Sequence, residues 1–331
     1  MTKKRKVKGE GKTRRLFLRD GLITTGLAVG AVATGGLLYS DQPMRASREK
    51  VLTLPNYRVE DSKHYPILAI TRGQDVWAMA SEALARLGGM GRFVQKGESV
   101  LLKPNVGWDR FPEQAANTGP ELVSAMVRLC RDAGAKQVFV ADLSLNDPAR
   151  CFFRSGIEKA AQEAGAQVLI PSKEDFIQTD MGGEILGVWP VMKVMHQVAR
   201  VINLPIVKHH SLSNCTLSMK NHYGVIGGRR NRLHQKIHTS IVDLASAVKP
   251  TLTVMDATRV LMRNGPTGGN LADVSLENTL VAATDEVALD SYGLNFLDLT
   301  PDQVPYLNMA QERGLGQVDW KALNWVERQV G

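Results

Sequence analysis

Histidines and cationic side chains are concentrated in one stretch of this sequence. Five of the seven histidines fall within thirty residues, and lysines and arginines lie between them. These residues are Lys208, His209, His210, Lys220, His222, Arg229, Arg230, Arg232, His234 and His238. Neutral imidazole is the commonest side-chain metal ligand, and lysine or arginine binds carboxylate and phosphate oxygens. The stretch therefore predicts a metal or anion site, although each residue taken singly could instead cap a helix or lie solvated on the surface.

Polar segments follow the predicted strands directly at five places. They are Lys103-Pro104-Asn105, Asp142, Lys208-His209-His210, 256–259 and Thr284-Asp285. In open parallel sheets, ligands bind beyond the carboxyl ends of the strands. We therefore expect these segments to meet in one crevice. The predicted catalytic residues are Lys103, Lys220 and Asp256. The predicted metal ligands are His209, His210 and His222, and nitrogen and oxygen ligands without thiolates favour Zn, Fe, Ni or Mn.

Six further residues are assigned to binding of a small anionic substrate or cofactor. They are Asn105, Asn117, Thr118, Asn221, Arg229 and Gly268. Gly268 lies in a glycine-rich turn whose backbone N–H groups could surround an anion. Thr118 precedes a Gly-Pro pair, so capping of a helix is its alternative role. His234 and His238 stand four residues apart and share one face of a predicted helix, which suits a bidentate metal site but also arises by chance.

The order of apolar runs predicts an α/β fold. From 67 to 170, short apolar runs alternate with amphipathic stretches that end at a glycine. Strands that alternate with helices imply right-handed crossovers, so we expect a mostly parallel sheet with helices on both faces, built from Rossmann-like βαβ units. Between 176 and 194, three glycines and a proline separate short segments, which predicts a small hairpin insertion. Later strands are predicted at 200–204, 251–255 and 278–283, and helices at 234–248 and 285–296.

The chain divides into four predicted parts. Residues 1–40 read as a leader, 41–64 as a proline-broken linker, 65–316 as the α/β domain and 317–331 as a helical tail. In the leader, Arg14-Arg15 is followed by an apolar pair, and residues 21–39 carry no charge. This order predicts a twin-arginine export signal, handled by the twin-arginine translocase. As a helix, 21–39 would reach about 28 Å, so a membrane anchor is the alternative. We expect the domain on the periplasmic face of the inner membrane, tethered or released.

Composition argues against two classes of protein. The three cysteines include no C-x-x-C pair, which argues against an iron–sulfur cluster or a four-cysteine zinc site within this chain. The net charge is +8, but residues 1–20 contain nine Lys or Arg and two Asp or Glu, a net +7. The remainder carries only +1, so the body lacks the basic excess expected of a nucleic-acid-binding protein.

Several short segments, taken in order, resemble the family known as domain of unknown function 362. They are Leu102-Lys103-Pro104-Asn105, Asn117-Thr118-Gly119-Pro120, Asn203-Leu204-Pro205, Lys208-His209-His210, Met219-Lys220-Asn221-His222-Tyr223-Gly224, the predicted helix with His234 and His238, Asp256-Ala257, Gly265-Pro266 and Ala288-Leu289-Asp290. Many relatives carry an appended two-cluster ferredoxin domain, and others carry a twin-arginine leader. The resemblance therefore implies a redox setting. This chain lacks cluster cysteines, so electron transfer would need a ferredoxin-like partner or a different cofactor.

Three functional hypotheses remain after the sequence is read. The leading one is a metal- or anion-dependent enzyme, redox-linked in the family's setting, with a His/Lys/Asp site at the strand ends. The second is a non-catalytic accessory subunit anchored to a membrane redox complex. The third is a metal-free binder of a phosphate-bearing cofactor. The residues leave open whether the protein is an enzyme and which cofactor it uses, with a divalent metal ion as one candidate.

Overall fold

The computed structural model describes residues 51–60 and 62–331. The strands are β1 (Leu52–Thr53), β2 (Leu68–Arg72), β3 (Ser99–Pro104), β4 (Gln137–Ala141), β5 (Gln167–Leu169), β6 (Phe176–Asp180), β7 (Val188–Met192), β8 (Arg200–Leu204), β9 (Ile206–His210), β10 (Asn214–Thr216), β11 (Leu252–Leu261), β12 (Val274–Ala283) and β13 (Trp325–Gln329). The α-helices are α1 (Val76–Arg86), α2 (Pro120–Asp132), α3 (Pro148–Arg154), α4 (Ile157–Glu163), α5 (Ser218–Asn221), α6 (Ile237–Val248), α7 (Glu286–Gly293) and α8 (Tyr306–Glu312).

The main sheet is mostly parallel, as predicted. Its strands follow the order β13-β2-β12-β11-β8-β3-β4-β5, with β9 beside β11 and β10 beside β9. Along that order, neighbours are parallel except where β12 is one of the pair. The predicted hairpin insertion is β6 and β7, which pair antiparallel and form a second sheet with β1. The α/β class predicted from the sequence is therefore confirmed.

Hydrophobic side chains cover both faces of this sheet. Leu68 and Ile70 of β2 pack into one core, whereas Ala69 between them packs into another. Successive side chains of a strand point to opposite faces, so the two cores lie on opposite sides of the sheet. Helices α6, α7 and α8 contribute to the first core, and α1 to α4 contribute to the second. Burial on both sides explains why these strands read as continuous apolar runs.

Two of the predicted elements near the histidines have different boundaries. Lys208-His209-His210 lie on β9 instead of in a loop, because β10 returns antiparallel and supplies backbone partners. The helix predicted at 234–248 begins at Ile237, and His234 lies in the 3₁₀ turn Arg230–Lys236 before it. The two histidines predicted to share a helix face are therefore on different elements.

The strands predicted at 251–255 and 278–283 are longer than their apolar cores. They form the ten-residue strands β11 and β12, because antiparallel pairing continues beyond those cores.

The direction of β12 removes one segment from the predicted crevice. Its carboxyl end, followed by Thr284 and Asp285, lies level with the start of β11 instead of its end. Thr284-Asp285 therefore does not join the other strand-end segments.

The carboxyl-terminal tail ends in a strand, so the helical tail predicted at 317–331 is wrong. The 3₁₀ turn Trp320–Ala322 is followed by β13, which pairs in parallel with β2. The segment WVERQ begins with two apolar residues, and an unpaired sheet edge readily accepts another strand. Val326 and Val330 pack against the core beneath.

The predicted linker at 41–64 contacts the domain at two places among its described residues. β1 pairs with β6, and Tyr57 is fully buried with its hydroxyl donating to the Met195 carbonyl. The predicted leader and anchor at 1–40, together with residues 41–50, lie outside the described residues. Among residues 51–60 and 62–331, no helix is long and apolar enough to cross a bilayer.

The position of β13 predicts a difference between two substitutions in it. Val326→Asp should lower the free energy of unfolding by about 1–3 kcal/mol, because a carboxylate would replace a side chain packed on the core. Gln329→Asp, at an exposed position of the same strand, should change it by less than about 0.5 kcal/mol. Urea unfolding measures both, and equal effects would contradict the placement of β13.

Candidate functional site

A small polar pocket lies at the carboxyl ends of β3 and β4 and beside β9. Its volume is about 150 Å³. Four cationic residues line it, namely Lys103, Lys208, Lys220 and Arg230. Asp142 is the one acidic residue in its described lining. Lys208, Lys220 and Arg230 belong to the stretch that is rich in histidine and cationic residues, and Lys103 lies at a predicted strand end.

Lys103 is held in place by three interactions. Its ammonium forms an ion pair with Asp142 Oδ1 at 2.7 Å and donates to the Pro104 carbonyl at 2.9 Å and to Asn221 Oδ1 at 3.0 Å. Burial lowers the pKa of Lys103, although the Asp142 carboxylate opposes that shift. An ammonium has three N–H groups, and all three are engaged here. Lys103 therefore has no N–H group left for a ligand, and its role is to hold the other residues of the pocket in place.

A continuous chain of side-chain amides links this lysine to the rest of the site. Asn221 Oδ1 also accepts from Asn105 Nδ2 at 2.9 Å, and Asn221 Nδ2 donates to Asn203 Oδ1 at 2.8 Å. Asn203 Nδ2 donates to Glu286 Oε1 at 2.8 Å, and Asn105 Oδ1 accepts from the Lys208 ammonium at 2.9 Å. Unpaired buried polar groups are costly, so this network fixes each amide in one orientation.

Lys208 projects from β9 into the pocket. Its ammonium donates to Asn105 Oδ1 and to the Ala116 carbonyl, which leaves one N–H group for a ligand. Burial lowers its pKa to about 7, and the nearby charges of Lys220 and Lys103 contribute to the shift. Sequence reasoning noted Lys208 within the cationic stretch but assigned it no role.

Lys220 lies on the short helix α5, whose first amides are bound by a buried carboxylate. Asp290 Oδ1 accepts from the Ser218 amide at 2.7 Å, and its Oδ2 accepts from the Met219 amide at 3.2 Å. The Lys220 ammonium lies 5.1 Å from the centre of the Tyr223 ring and has no hydrogen-bond acceptor among the described residues. Burial lowers its pKa to about 8. The Lys220 ammonium therefore has no protein acceptor for its N–H groups among the described residues.

Arg230 and His210 also line the pocket. The Arg230 guanidinium donates to the carbonyls of Tyr223, Leu143 and Ser144 at 3.0, 2.8 and 3.0 Å. His210 Nδ1 accepts from the backbone amide of Leu212 at 3.1 Å, so the ring proton is assigned to Nε2. Burial lowers the pKa of His210 to about 2, which keeps the ring neutral.

Gly224 allows the ion pair to approach the backbone of the chain. A Cβ atom built on Gly224 would lie 1.7 Å from Asp142 Oδ1 and 2.6 Å from Lys103 Nζ. Both distances are shorter than any side chain tolerates. The glycine is therefore required by the Lys103–Asp142 pair, which explains a glycine at the end of the Met219–Gly224 motif.

The three predicted metal ligands do not meet. His209 Nδ1 accepts from the Gly265 amide at 3.2 Å, and His210 follows it on β9 and so points to the other side. His222 is buried away from the pocket, and its Nε2 lies 2.8 Å from Glu286 Oε2. Within the described ranges, no group of three histidine, cysteine, aspartate or glutamate side chains is placed to hold a metal ion. The set His209, His210 and His222 is therefore corrected to one pocket residue, His210, and two supporting residues.

Three other predicted residues support the loop that carries Asn105. Asp256, predicted to be catalytic, accepts from the Gly119 amide at 2.7 Å and from Thr258, so it binds the start of α2. Thr118 Oγ1 accepts from the Asn105 amide at 2.8 Å and donates to the Leu204 carbonyl. Asn117 bonds both backbone groups of Trp108. These residues lie outside the pocket lining, because their polar groups are used within the protein.

The remaining predicted residues are divided between the pocket and its surroundings. Arg229 is exposed, and its neighbour Arg230 lines the pocket instead. A Cβ atom built on Gly268 would lie 2.9 Å from Leu261 Cδ2, and Pro266 is the residue of that turn that reaches the lining. His234 lines the pocket, whereas the ring of His238 stacks at 6.2 Å from that of Tyr306, so the pair does not form a bidentate site.

Comparison with known proteins assigns the fold to a family. Residues 100–295 match the family described as domain of unknown function DUF362. This chain belongs to the DUF362 family. The pocket residues Lys103, Lys208 and Lys220 all lie within the matched segment. No reaction accompanies that description.

Sequence and structure relatives extend the comparison. The chain is 31% identical over 244 residues to a thylakoid-associated protein of Synechocystis, covering 70% of this chain and 72% of that protein. Lactate racemase apoprotein from Thermoanaerobacterium thermosaccharolyticum gives a TM-score of 0.39 at 13% identity, over 74% of this chain and 58% of that one. A Thermotoga maritima protein gives 0.38 at 10% identity, over 73% and 60%. This chain thus spans less than two thirds of either solved structure.

The lowered lysine pKa values predict how stability depends on pH. Between pH 7 and 10, Lys208 and Lys220 lose protons in the folded state while the unfolded chain keeps them, since the ordinary lysine pKa is 10.5. The unfolded state then binds more protons, so their contribution to the free energy of unfolding rises with pH.

The double variant Lys208→Met/Lys220→Met should lose this rise, whereas Lys159→Met, at an exposed position, should keep it. Urea unfolding at pH 7, 8, 9 and 10 measures the difference from the unmodified protein. A variant profile parallel to that of the unmodified protein would show that the two lysines keep ordinary pKa values.

Proposed function

We propose that this protein is an enzyme that binds a small organic anion, without a metal ion, in the pocket formed by Lys103, Lys208, Lys220 and Arg230. The observation that carries the proposal is the charge balance of that pocket. Its one described carboxylate, Asp142, is paired with Lys103 at 2.7 Å. The positive charges of Lys208, Lys220 and Arg230 therefore have no acidic partner in the lining, and an anionic guest would provide one.

The available donors support the same proposal. Lys208 has one N–H group left, Lys220 has all three, and His210 offers Nε2–H. Charge-assisted hydrogen bonds in a dry pocket are the strong ones, so these groups favour carboxylate or phosphate oxygens. The volume of about 150 Å³ limits the guest to a small molecule or to the anionic end of a larger one.

The proposal chooses among the hypotheses that the sequence left open. The separate positions of His209, His210 and His222 favour the anion-dependent reading over the metal-dependent one. A phosphate-bearing cofactor and a small carboxylic acid both fit the donors. The lowered pKa values of Lys208 and Lys220 favour an enzyme over a simple binder, because perturbed groups in a pocket are typical of active sites.

Anion affinity tests this proposal. Inorganic phosphate and malonate should bind, measured by calorimetry at pH 6.5 and by the change in tryptophan fluorescence, since Trp108 lines the pocket. Lys220→Met and Arg230→Gln should each weaken binding by about tenfold to a hundredfold, since one charge-assisted hydrogen bond contributes about 1.5–3 kcal/mol. Affinity should fall as the pH rises through 7 and 8, where Lys208 and Lys220 lose their charges.

Lys159→Met is the matched control, because Lys159 lies exposed on α4. It should leave the affinity for both anions unchanged. Binding that is equally weak in all variants, or that does not depend on Lys220 and Arg230, would rule out the pocket as the anion site.

We also propose that the protein is exported and works at a membrane surface. Arg14-Arg15, the uncharged segment 21–39 and the relative named as thylakoid-associated support this location. The translocase is then one partner, and a membrane redox complex or a ferredoxin-like protein is another, as the family setting implies. This location also favours the second candidate function, an accessory subunit of such a complex.

Cell fractionation tests the export route. Arg14→Lys/Arg15→Lys should retain the full-length chain in the cytoplasm, because the route reads the arginine pair itself. Arg19→Lys, outside the pair, should leave export unchanged. Export of the double variant would contradict the twin-arginine assignment, and co-purification with other membrane proteins in mild detergent would favour the accessory subunit over a free enzyme.

A further inference from the structure

The ammonium of Lys220 differs from the other cations of the pocket in its surroundings. Lys103 uses all its donors on protein oxygens, Lys208 uses two, and Arg230 donates to three carbonyls. In the part of the chain that the structure describes, Lys220 Nζ has an aromatic ring beside it at 5.1 Å and no hydrogen-bond acceptor. A buried amine without acceptors, surrounded by other cations, loses much of the stabilisation of its charged form.

The position of Lys220 is nevertheless fixed. Asp290 binds the first amides of α5, and Asn221, the next residue, is hydrogen-bonded to Lys103 and Asn203. The backbone therefore presents the Lys220 side chain to the pocket from a rigid support. A lysine that is desolvated and lies next to other cationic groups has the properties of a nucleophile toward carbonyl carbon.

We propose that Lys220 forms an imine with a small aldehyde or ketone that carries a carboxylate or phosphate beside its carbonyl group. This inference rests on the proposed function, because Arg230 must hold the anionic group while the carbonyl carbon faces Lys220 Nζ and the carbonyl oxygen faces the remaining N–H group of Lys208. His210 donates its Nε2–H to the carbonyl oxygen and polarises the C=O bond. His210 Nδ1 accepts a hydrogen bond from the Leu212 amide, so the ring is neutral. It donates a hydrogen bond through Nε2–H but does not give up that proton in the reaction.

The reaction balances without any oxidant or reductant. The lone pair of Lys220 Nζ attacks the carbonyl carbon, the C=O π pair moves to oxygen, and the Lys208 ammonium protonates that oxygen. The Lys208 amine then takes a proton from Nζ. In the second stage the Lys208 ammonium protonates the hydroxyl, the C–O bond breaks as water leaves, the nitrogen lone pair forms the C=N bond, and the Lys208 amine takes the remaining proton from Nζ. The two protons that Nζ loses leave with the oxygen as water, and Lys208 is unchanged overall.

The lysine pKa values agree with these roles. A pKa of about 8 for Lys220 leaves a usable fraction of free amine near neutral pH, and a pKa of about 7 for Lys208 suits a group that gives and regains a proton there. An exposed lysine such as Lys159 does not share this burial.

Reductive trapping tests the inference on the purified protein. Pyruvate and glycolaldehyde phosphate are supplied separately, with cyanoborohydride at pH 7.5, and labelled peptides are identified by mass spectrometry. At least one probe should label Lys220 on the order of a hundredfold faster than the exposed Lys159, because a pKa of about 8 leaves Lys220 far more free amine than the ordinary lysine pKa would. Labelling should saturate with probe concentration, and malonate or inorganic phosphate should block it. The preferred probe shows whether the anionic group is a carboxylate or a phosphate.

Lys220→Arg is the matched variant, because it keeps a positive charge in the pocket but removes the nucleophile. It should bind malonate and phosphate and show no labelling above that of surface lysines. Saturable binding of a probe without preferred labelling at Lys220 would overturn the imine while leaving the proposed anion site intact. Failure of every anion to bind would overturn both, and Lys220→Arg labelled as fast as the unmodified protein would overturn the assignment to Lys220.

Discussion

The pocket depends on the burial of several ammonium groups close to one carboxylate. Bringing cations out of water is costly unless each finds oxygen partners. The Lys103–Asp142 ion pair provides the first partner, and the carboxamide oxygens of Asn221 and Asn105 provide others. The amide chain continues through Asn203 to Glu286. All three N–H groups of Lys103 thereby have oxygen partners, whereas Lys208 has partners for two and Lys220 has none among the described residues. The network that stabilises the fold therefore leaves reactive ammonium groups at the pocket.

The arrangement of strands explains why these residues meet. β3, β4 and β8 run in parallel, so Lys103, Asp142 and Asn203 emerge at or near one edge of the sheet. β9 continues beyond that edge and places Lys208 and His210 over it. Helix α5 then closes the pocket with Lys220 and Asn221, which its buried cap, Asp290, holds in place. Gly224 permits the close approach that the ion pair needs.

Much of this site follows from local sequence rules, and the rest does not. Lys103, Asn105 and Asp142 were found because each follows an apolar run, and the carboxyl ends of parallel strands share an edge. The same rule failed for Thr284-Asp285, because nothing in the local pattern reveals that β12 runs antiparallel. The sequence predicted Arg229 instead of its neighbour Arg230, because an irregular turn has no regular spacing from which the direction of a side chain can be inferred. His222 was taken for a metal ligand because its partner, Glu286, is sixty-four positions away in sequence.

Anomalous diffraction from a crystal soaked in selenate or bromide tests the central claim most directly. The account predicts an ordered anion within hydrogen-bond distance of the Lys208 and Lys220 ammonium groups, with the Lys103–Asp142 pair intact beside it. Anion peaks confined to the outer surface, with the Lys220 side chain turned away from the pocket or bonded to a protein carboxylate, would contradict it.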